Sequence, residues 1–214
     1  MAIFDTGDSK RVFLRSVIAF KRLGRWVYRV AKNRVNPNRK KHPEMERTNV
    51  DFKKTRRFFA RMKVALENIP TWRVAAAKYG GKMTGDNFMF HVNYDKLVGG
   101  SVACFHLFRF SVGSLFQPWD LSASREGNVV TVTWHDNRVS PHCSPDDVLL
   151  AGLVDRKNPR RPMLLDLNAT RSSGTCTFEL NPNFGKELHF YFFFCNRWRT
   201  EFSSSQHVEL TGEK

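Results

Sequence analysis

The sequence predicts an α+β chain in which basic amphipathic N-terminal helices precede an all-β immunoglobulin/fibronectin III-like sandwich. Three observations predict it. The net charge lies in one half of the chain, hydrophobic periodicity changes from helical to alternating near Lys82, and turn signals then recur at short intervals.

The charge distribution is the most informative of the three. Up to Lys82 there are 22 Lys and Arg against six acidic residues, a surplus of +16, whereas the remainder holds 13 basic and 14 acidic residues. The whole formal charge of +15 is therefore N-terminal. Such asymmetry implies a polyanionic partner for the first part and an ordinary, nearly neutral domain for the second. Nineteen Phe in 214 residues supply enough apolar bulk for a real core.

The first element, "RVFLRSVIAFKRLGRWVYRVAKNR" at 11–34, carries a cation every three or four positions. On a helix, Arg11, Arg15, Arg22, Arg25, Arg29 and Lys32 fall along one side, with Phe13, Val17, Phe20, Val27 and Ala31 along the other. Trp26 and Tyr28 fall at the borders of that stripe, where a ring can stack on a base, lie at a lipid headgroup or cover a core edge. "NRVNPNRKKHPEMERTN" follows as an extended arm containing Arg39, Lys40 and Lys41.

A second helix is expected from Thr48, with Asp51 at the capping distance. Phe58, Phe59, Met62, Ala65, Leu66 and Ile69 form its inner face, while Lys53, Lys54, Arg56, Arg57, Arg61 and Lys63 cover much of the rest. Pro70 ends it, and "TWRVAAAKYGG" makes a short third helix that Gly80 and Gly81 stop. Strands are expected in "FMFHVNY", "SVACFHLFRFSV", "LSASREGNVVTVTWHD", "DDVLLAGLVD", "PMLLDLNAT", "GTCTFELN", "ELHFYFFFCNRWR" and "SSSQHVELT". In "VVTVTWHD", Val130, Val132 and Trp134 alternate with threonines, as a half-buried strand requires. "HFYFFFC" is apolar on both faces and suits a central strand. The expected organisation is a basic helix and arm at 1–47, a helical segment at 48–82, a β-rich connector at 83–115 and the sandwich at 116–214.

Constellations that carry chemistry are sparse. Cys104, Cys143, Cys176 and Cys195 are far apart with no C-x-x-C pair, which reads as free thiols, one disulfide between neighbouring strands remaining open. His135, Asp136, His142, Cys143, Asp146 and Asp147 crowd one inter-strand loop without the paired spacing of a zinc site. Cys143 beside His142 lacks the glycine elbow of a nucleophile. No phosphate loop, dinucleotide fingerprint or H-E-x-x-H motif occurs. The expectation is a non-enzymatic chain with no catalytic residues, no metal and no cofactor.

"VTVTWHDN", "DDVLLAGLVDRK", "ATRSSGTCTFELNPNFGKELHFYFFF" and the closing "SSSQHVEL" together resemble the C-terminal half of an uncharacterised protein family of the Bacteroidota. The matching stretch, 131–208, keeps that family's W-x-D-N strand end, D-D pair, R-x-x-G turn and serine-rich last strand. Asn181 stands before the proline where the family has Leu. "GRWVYRV", "NPN", "RTNVDFKKTRRFFARM" and "MTGDNFMFHVNY" resemble its basic opening, arm, first long helix and pre-sandwich stretch. The resemblance implies a divergent member with the two-part organisation above, and it supplies no activity.

The function expected from these features is a structural component of a phage or mobile-element virion. The basic helices would bind DNA or RNA without sequence preference, and the sandwich would contact virion or assembly proteins in a homo- or hetero-oligomer. Phosphate contacts are expected from Arg11, Arg15, Arg22, Arg25, Arg29, Lys32, Arg39, Lys40, Lys41, Lys53, Lys54, Arg56 and Arg57, with stacking by Trp26 and Tyr28. The alternative is a fibronectin-like adhesion or protein-binding module whose helices dock on a membrane or on protein. Neither a signal peptide nor a transmembrane span is evident, so the expected location is the cytoplasm or an assembled particle.

Overall fold

The computed structural model describes residues 17–22, 25–30, 43–66, 69–136 and 142–212. The chain divides into two units, Met1–Glu46 and Arg47–Lys214.

In the first unit, the described residues of the segment expected to be a helix at 11–34, namely 17–22 and 25–30, form two paired strands instead. β1 (Val17–Arg22) pairs antiparallel with β2 (Arg25–Val30), from Val17 opposite Val30 to Arg22 opposite Arg25. The local chemistry explains the difference. Val, Ile, Phe, Trp and Tyr favour the pleated conformation, and a helix through Gly24 would forfeit about 1 kcal/mol relative to alanine. A cation every three or four residues fits a helical stripe, but the apolar residues between them carry a stronger β preference.

α1 (Pro43–Ala65) starts five residues earlier than its capping signal suggested. Proline is pre-shaped for a first helical turn, and Glu44 and Glu46 complement the helix dipole there. Thr55, Phe58, Phe59 and Met62 form its buried face, and Leu66, just past its end, is buried as well. α2 (Thr71–Tyr79) follows Pro70 and closes at Gly80.

The next two expectations need correction. "FMFHVNY" is no strand but part of α3 (Gly85–Asn93), begun by Thr84, whose side chain accepts from the Asn87 amide at 3.4 Å. "SVACFHLFRFSV" supplies only β4 (Ser101–Val102), which pairs with β3 (Leu97–Val98), and a 3-10 turn at Phe105–Leu107. Asn93 holds the segment beyond: its Nδ2 donates to the Arg109 carbonyl at 3.0 Å and its Oδ1 accepts from the Arg109 amide at 2.8 Å.

Seven strands then build the sandwich: β5 (Trp119–Glu126), β6 (Val129–His135), β7 (Val148–Asp155), β8 (Met163–Thr170), β9 (Thr175–Glu179), β10 (Glu187–Cys195) and β11 (Gln206–Thr211). They form two antiparallel sheets, β5-β6-β9 and β11-β10-β7-β8, the strand order of a fibronectin III-like sandwich. Val130, Val132 and Trp134 of one sheet meet Leu149, Leu153, Phe190, Phe192 and Phe194 of the other in one core.

A second core lies on the opposite face of the four-stranded sheet. Leu150, Val154, Tyr191 and Phe193 pack there with Phe58, Met62, Trp72, Phe108 and Phe110. β10 is thus covered on both faces, by the second sheet on its even-numbered side and by the helical layer on its odd-numbered side. This is why "HFYFFFC" shows no alternation. All four cysteines are free thiols. No described helix is long and apolar enough to cross a membrane.

Candidate nucleic-acid interface

α1 sets the geometry of the cationic surface. At about 100° per residue, Arg47, Lys53, Lys54, Arg57 and Arg61 fall within an arc of about 120° beside the buried face. All five are exposed. Lys53, Arg57 and Arg61 repeat at i, i+4 and i+8, which spaces them about 6 Å apart along the axis. Lys54 lies 4.0 Å from Asp51, while Lys53 and Arg57 have no acidic partner among the described residues. Arg56 projects elsewhere, its guanidinium 5.9 Å from the Phe52 ring centre.

The stripe does not end with the helix. Arg61 Nη1 donates to the Arg160 carbonyl at 3.2 Å, and Arg160 Nε donates to Ser101 Oγ at 3.1 Å. Arg160 belongs to the β7–β8 turn "RKNPRR", whose Arg156, Lys157, Arg160 and Arg161 are all exposed. The close approach of α1 to this side depends on Gly100. It has φ of +76°, and a Cβ there would stand 2.7 Å from the Lys54 backbone.

Of the residues expected to touch phosphate, Lys53, Lys54 and Arg57 come together on this surface. Arg22, Arg25 and Arg29 lie on the hairpin instead, at register positions opposite Arg25, Arg22 and Ile18. Trp26 stands opposite Lys21, and Tyr28, opposite Ala19, is 63% exposed. Arg11, Arg15, Lys32, Arg39, Lys40 and Lys41 lie outside the described residues. Arg47 and the turn cations were not singled out from the sequence. "RKNPRR" was visible there as a cluster of charge, but only the β7–β8 connection brings it beside α1.

The loop considered for metal or nucleophilic chemistry is used differently. Asp147 turns inward and pairs with buried Arg171 at 3.1 Å, while His135 Nδ1 lies 3.2 Å from Asp120 Oδ2 at the surface. His142 lies against Phe116, ring centres 6.3 Å apart. These contacts assign the inward half of the loop to packing.

The sandwich has other exposed features. Trp119 and Trp198 are 65% and 76% exposed. A cleft of about 540 Å³ lies between the β8 and β9 edges, lined by Met163, Leu165, Leu167, Phe178 and Phe184 among others.

No family model and no curated protein matches the chain. Among solved structures it is similar to a computationally redesigned β-sandwich protein, at 18% identity over 47% of this chain and 98% of that one, with a TM-score of 0.34. It is also similar to a CBM33 protein of Bacillus amyloliquefaciens solved with Cu(I), at 11% identity over 45% of this chain and 60% of that one, with a TM-score of 0.29.

Proposed function

We propose that this chain is a non-enzymatic assembly protein, of the kind found in a phage or mobile-element virion, that binds nucleic acid through phosphate contacts. The observation that carries the reading is the α1 stripe of Arg47, Lys53, Lys54, Arg57 and Arg61, continued by the exposed cations of the β7–β8 turn. Cations held on a rigid helix at regular spacing neutralise a phosphate backbone without reading bases. The hairpin adds Arg22, Arg25 and Arg29, with Tyr28 exposed for stacking. The sandwich serves protein neighbours, for which Trp119 and Trp198 offer large exposed contact area.

The test is fluorescence anisotropy of the full chain on a short labelled duplex over a salt series. Replacing Lys53, Arg57 and Arg61 by Gln removes three cations and should make the log-log salt slope shallower by about 2.7. Unchanged affinity and slope would remove α1 from the interface and overturn the reading.

A second reading, an adhesion or protein-binding module, is favoured by the β8–β9 cleft and its apolar lining. Under that reading the Gln variants bind nucleic acid as the parent does, whereas Leu165→Arg in the cleft abolishes capture of the partner protein.

A further inference from the structure

A polar cluster lies on the odd-numbered side of β10 and meets the cationic surface at Arg156 of the β7–β8 turn. β10 and β11 run antiparallel with His189 opposite Glu209 and Tyr191 opposite His207. His189 is 1% exposed, and the Phe105 ring stacks on its imidazole with centres 3.7 Å apart. Its Nδ1 lies 3.1 Å from His207 Nε2. Its other nitrogen, Nε2, is buried without a hydrogen-bond partner.

That orphaned nitrogen is aimed at acid. Glu187 Oε1 lies 3.7 Å from it, too far for a hydrogen bond, and Glu209 Oε2 lies 4.0 Å from Nδ1 of the same ring. One ligand atom each from Glu187, His189 and Glu209 can be chosen so that all lie within 4.8 Å of one another. When His189 Nδ1 donates to His207, the bare lone pair of Nε2 faces a carboxylate. Two electron-rich groups then confront each other, and the cation on Glu187 Oε1, Arg156 Nη1, makes no hydrogen bond to Nε2. Buried polar atoms in native proteins are ordinarily satisfied, so this arrangement calls for a positive occupant.

We propose that Glu187, His189 and Glu209 form a site for one divalent cation of the zinc class, with His189 Nε2 and one oxygen of each carboxylate as ligands. Two carboxylates balance the charge of a divalent ion, and imidazole beside carboxylate suits zinc. His207 is the positioning residue: it accepts the other imidazole proton and fixes the tautomer, as partners of metal-bound histidines do. Glu209 and Glu187 remain partly exposed, which leaves an entry path and a coordination position for water. The competing cation is Arg156, whose Nη1 pairs with Glu187 Oε1.

Isothermal titration of zinc chloride into the chelator-treated full chain tests the proposal. One equivalent should bind. Glu187→Gln and Glu209→Gln, both at partly exposed positions, should each weaken binding at least tenfold with an unchanged circular dichroism spectrum. Arg156→Gln should tighten it severalfold by removing the competitor from Glu187. Absence of saturable binding overturns the proposal. So does zinc affinity that is equal in the parent and both Glu variants, since the ion would then sit on other histidines or cysteines.

Discussion

Arg171 and Asp147 form a fully buried ion pair at the end of the sandwich core, Nε to Oδ2 at 3.1 Å, with side chains 0% and 1% exposed. The pair is held on several sides. The Arg171 guanidinium lies 3.9 Å over the Phe194 ring and donates to the Phe116 carbonyl at 2.9 Å, while Asp147 accepts from the Ser144 amide at 2.9 Å. The Trp134 indole donates to the Arg171 carbonyl at 2.8 Å. Charge, aromatic face and backbone therefore tie the β6–β7 and β8–β9 connections together.

Asp147→Ala should cost about 3–5 kcal/mol, because it strands a buried guanidinium without its counter-charge. Urea unfolding of the two single variants and of Asp147→Ala/Arg171→Met measures this. The double variant should be more stable than the sum of the single losses predicts, by about 0.5–3 kcal/mol of coupling. Strict additivity would show that the two side chains are held independently.

Gly152 lets the Phe110 ring lie directly on the four-stranded sheet. It lies on β7 opposite Tyr191, and a Cβ there would approach the Phe110 ring to 2.3 Å. The ring is 0% exposed and packs against both Phe108 and Tyr191, so it has nowhere to retreat. Gly152→Ala should therefore destabilise by about 1–3 kcal/mol despite adding only a methyl group. A denaturation midpoint equal to the parent's would mean that the helical layer can slide over the sheet.

The sandwich was legible because its strands announce themselves locally. Val130, Val132 and Trp134 alternate with threonines, and the uninterrupted run from His189 to Cys195 marks a strand covered on both sides. The misreadings have equally local causes. Between Val17 and Val30, the spacing of cations imitated a helical stripe while β-branched and aromatic residues favoured the hairpin. In α3, Phe88, Met89 and Phe90 form a short apolar run whose period does not separate strand from helix, and the Thr84 cap decides it. The His189 cluster was not legible at all. His189 is hidden inside an apolar run, and His207, 18 residues on, reaches it only through the β10–β11 register.

Thiol chemistry reports on the same packing. Burial pushes both Cys176 and Cys195 up to about 11, from an ordinary value of 9.0. A rise of that size lowers the thiolate fraction at pH 8 about a hundredfold. Both residues should therefore be alkylated by iodoacetamide far more slowly in the native chain than after unfolding, with the native rate climbing until the pH passes about 11. Mass-spectrometric labelling at several pH values checks this. Full native labelling of Cys195 at pH 8 would mean that β10 is open to solvent.

The two units should contribute to nucleic-acid binding independently. Residues 1–42 hold 12 Lys and Arg against two acids, and they precede α1. The Arg47–Lys214 unit contains both hydrophobic cores. Removing 1–42 should leave its melting temperature within about a degree of the parent's, because every described residue of both cores lies beyond it. Duplex affinity should fall and the salt slope should become shallower by about 0.9 for each phosphate contact removed. A residual slope must persist, carried by the α1 stripe and the β7–β8 turn. Combining the truncation with the Lys53, Arg57 and Arg61 substitutions should then remove a further 2.7 or so of slope, the same increment those substitutions produce in the full chain. An increment much smaller in the full chain would mean that the arm already occupies the phosphates α1 is proposed to reach, so that the two surfaces compete for one stretch of backbone.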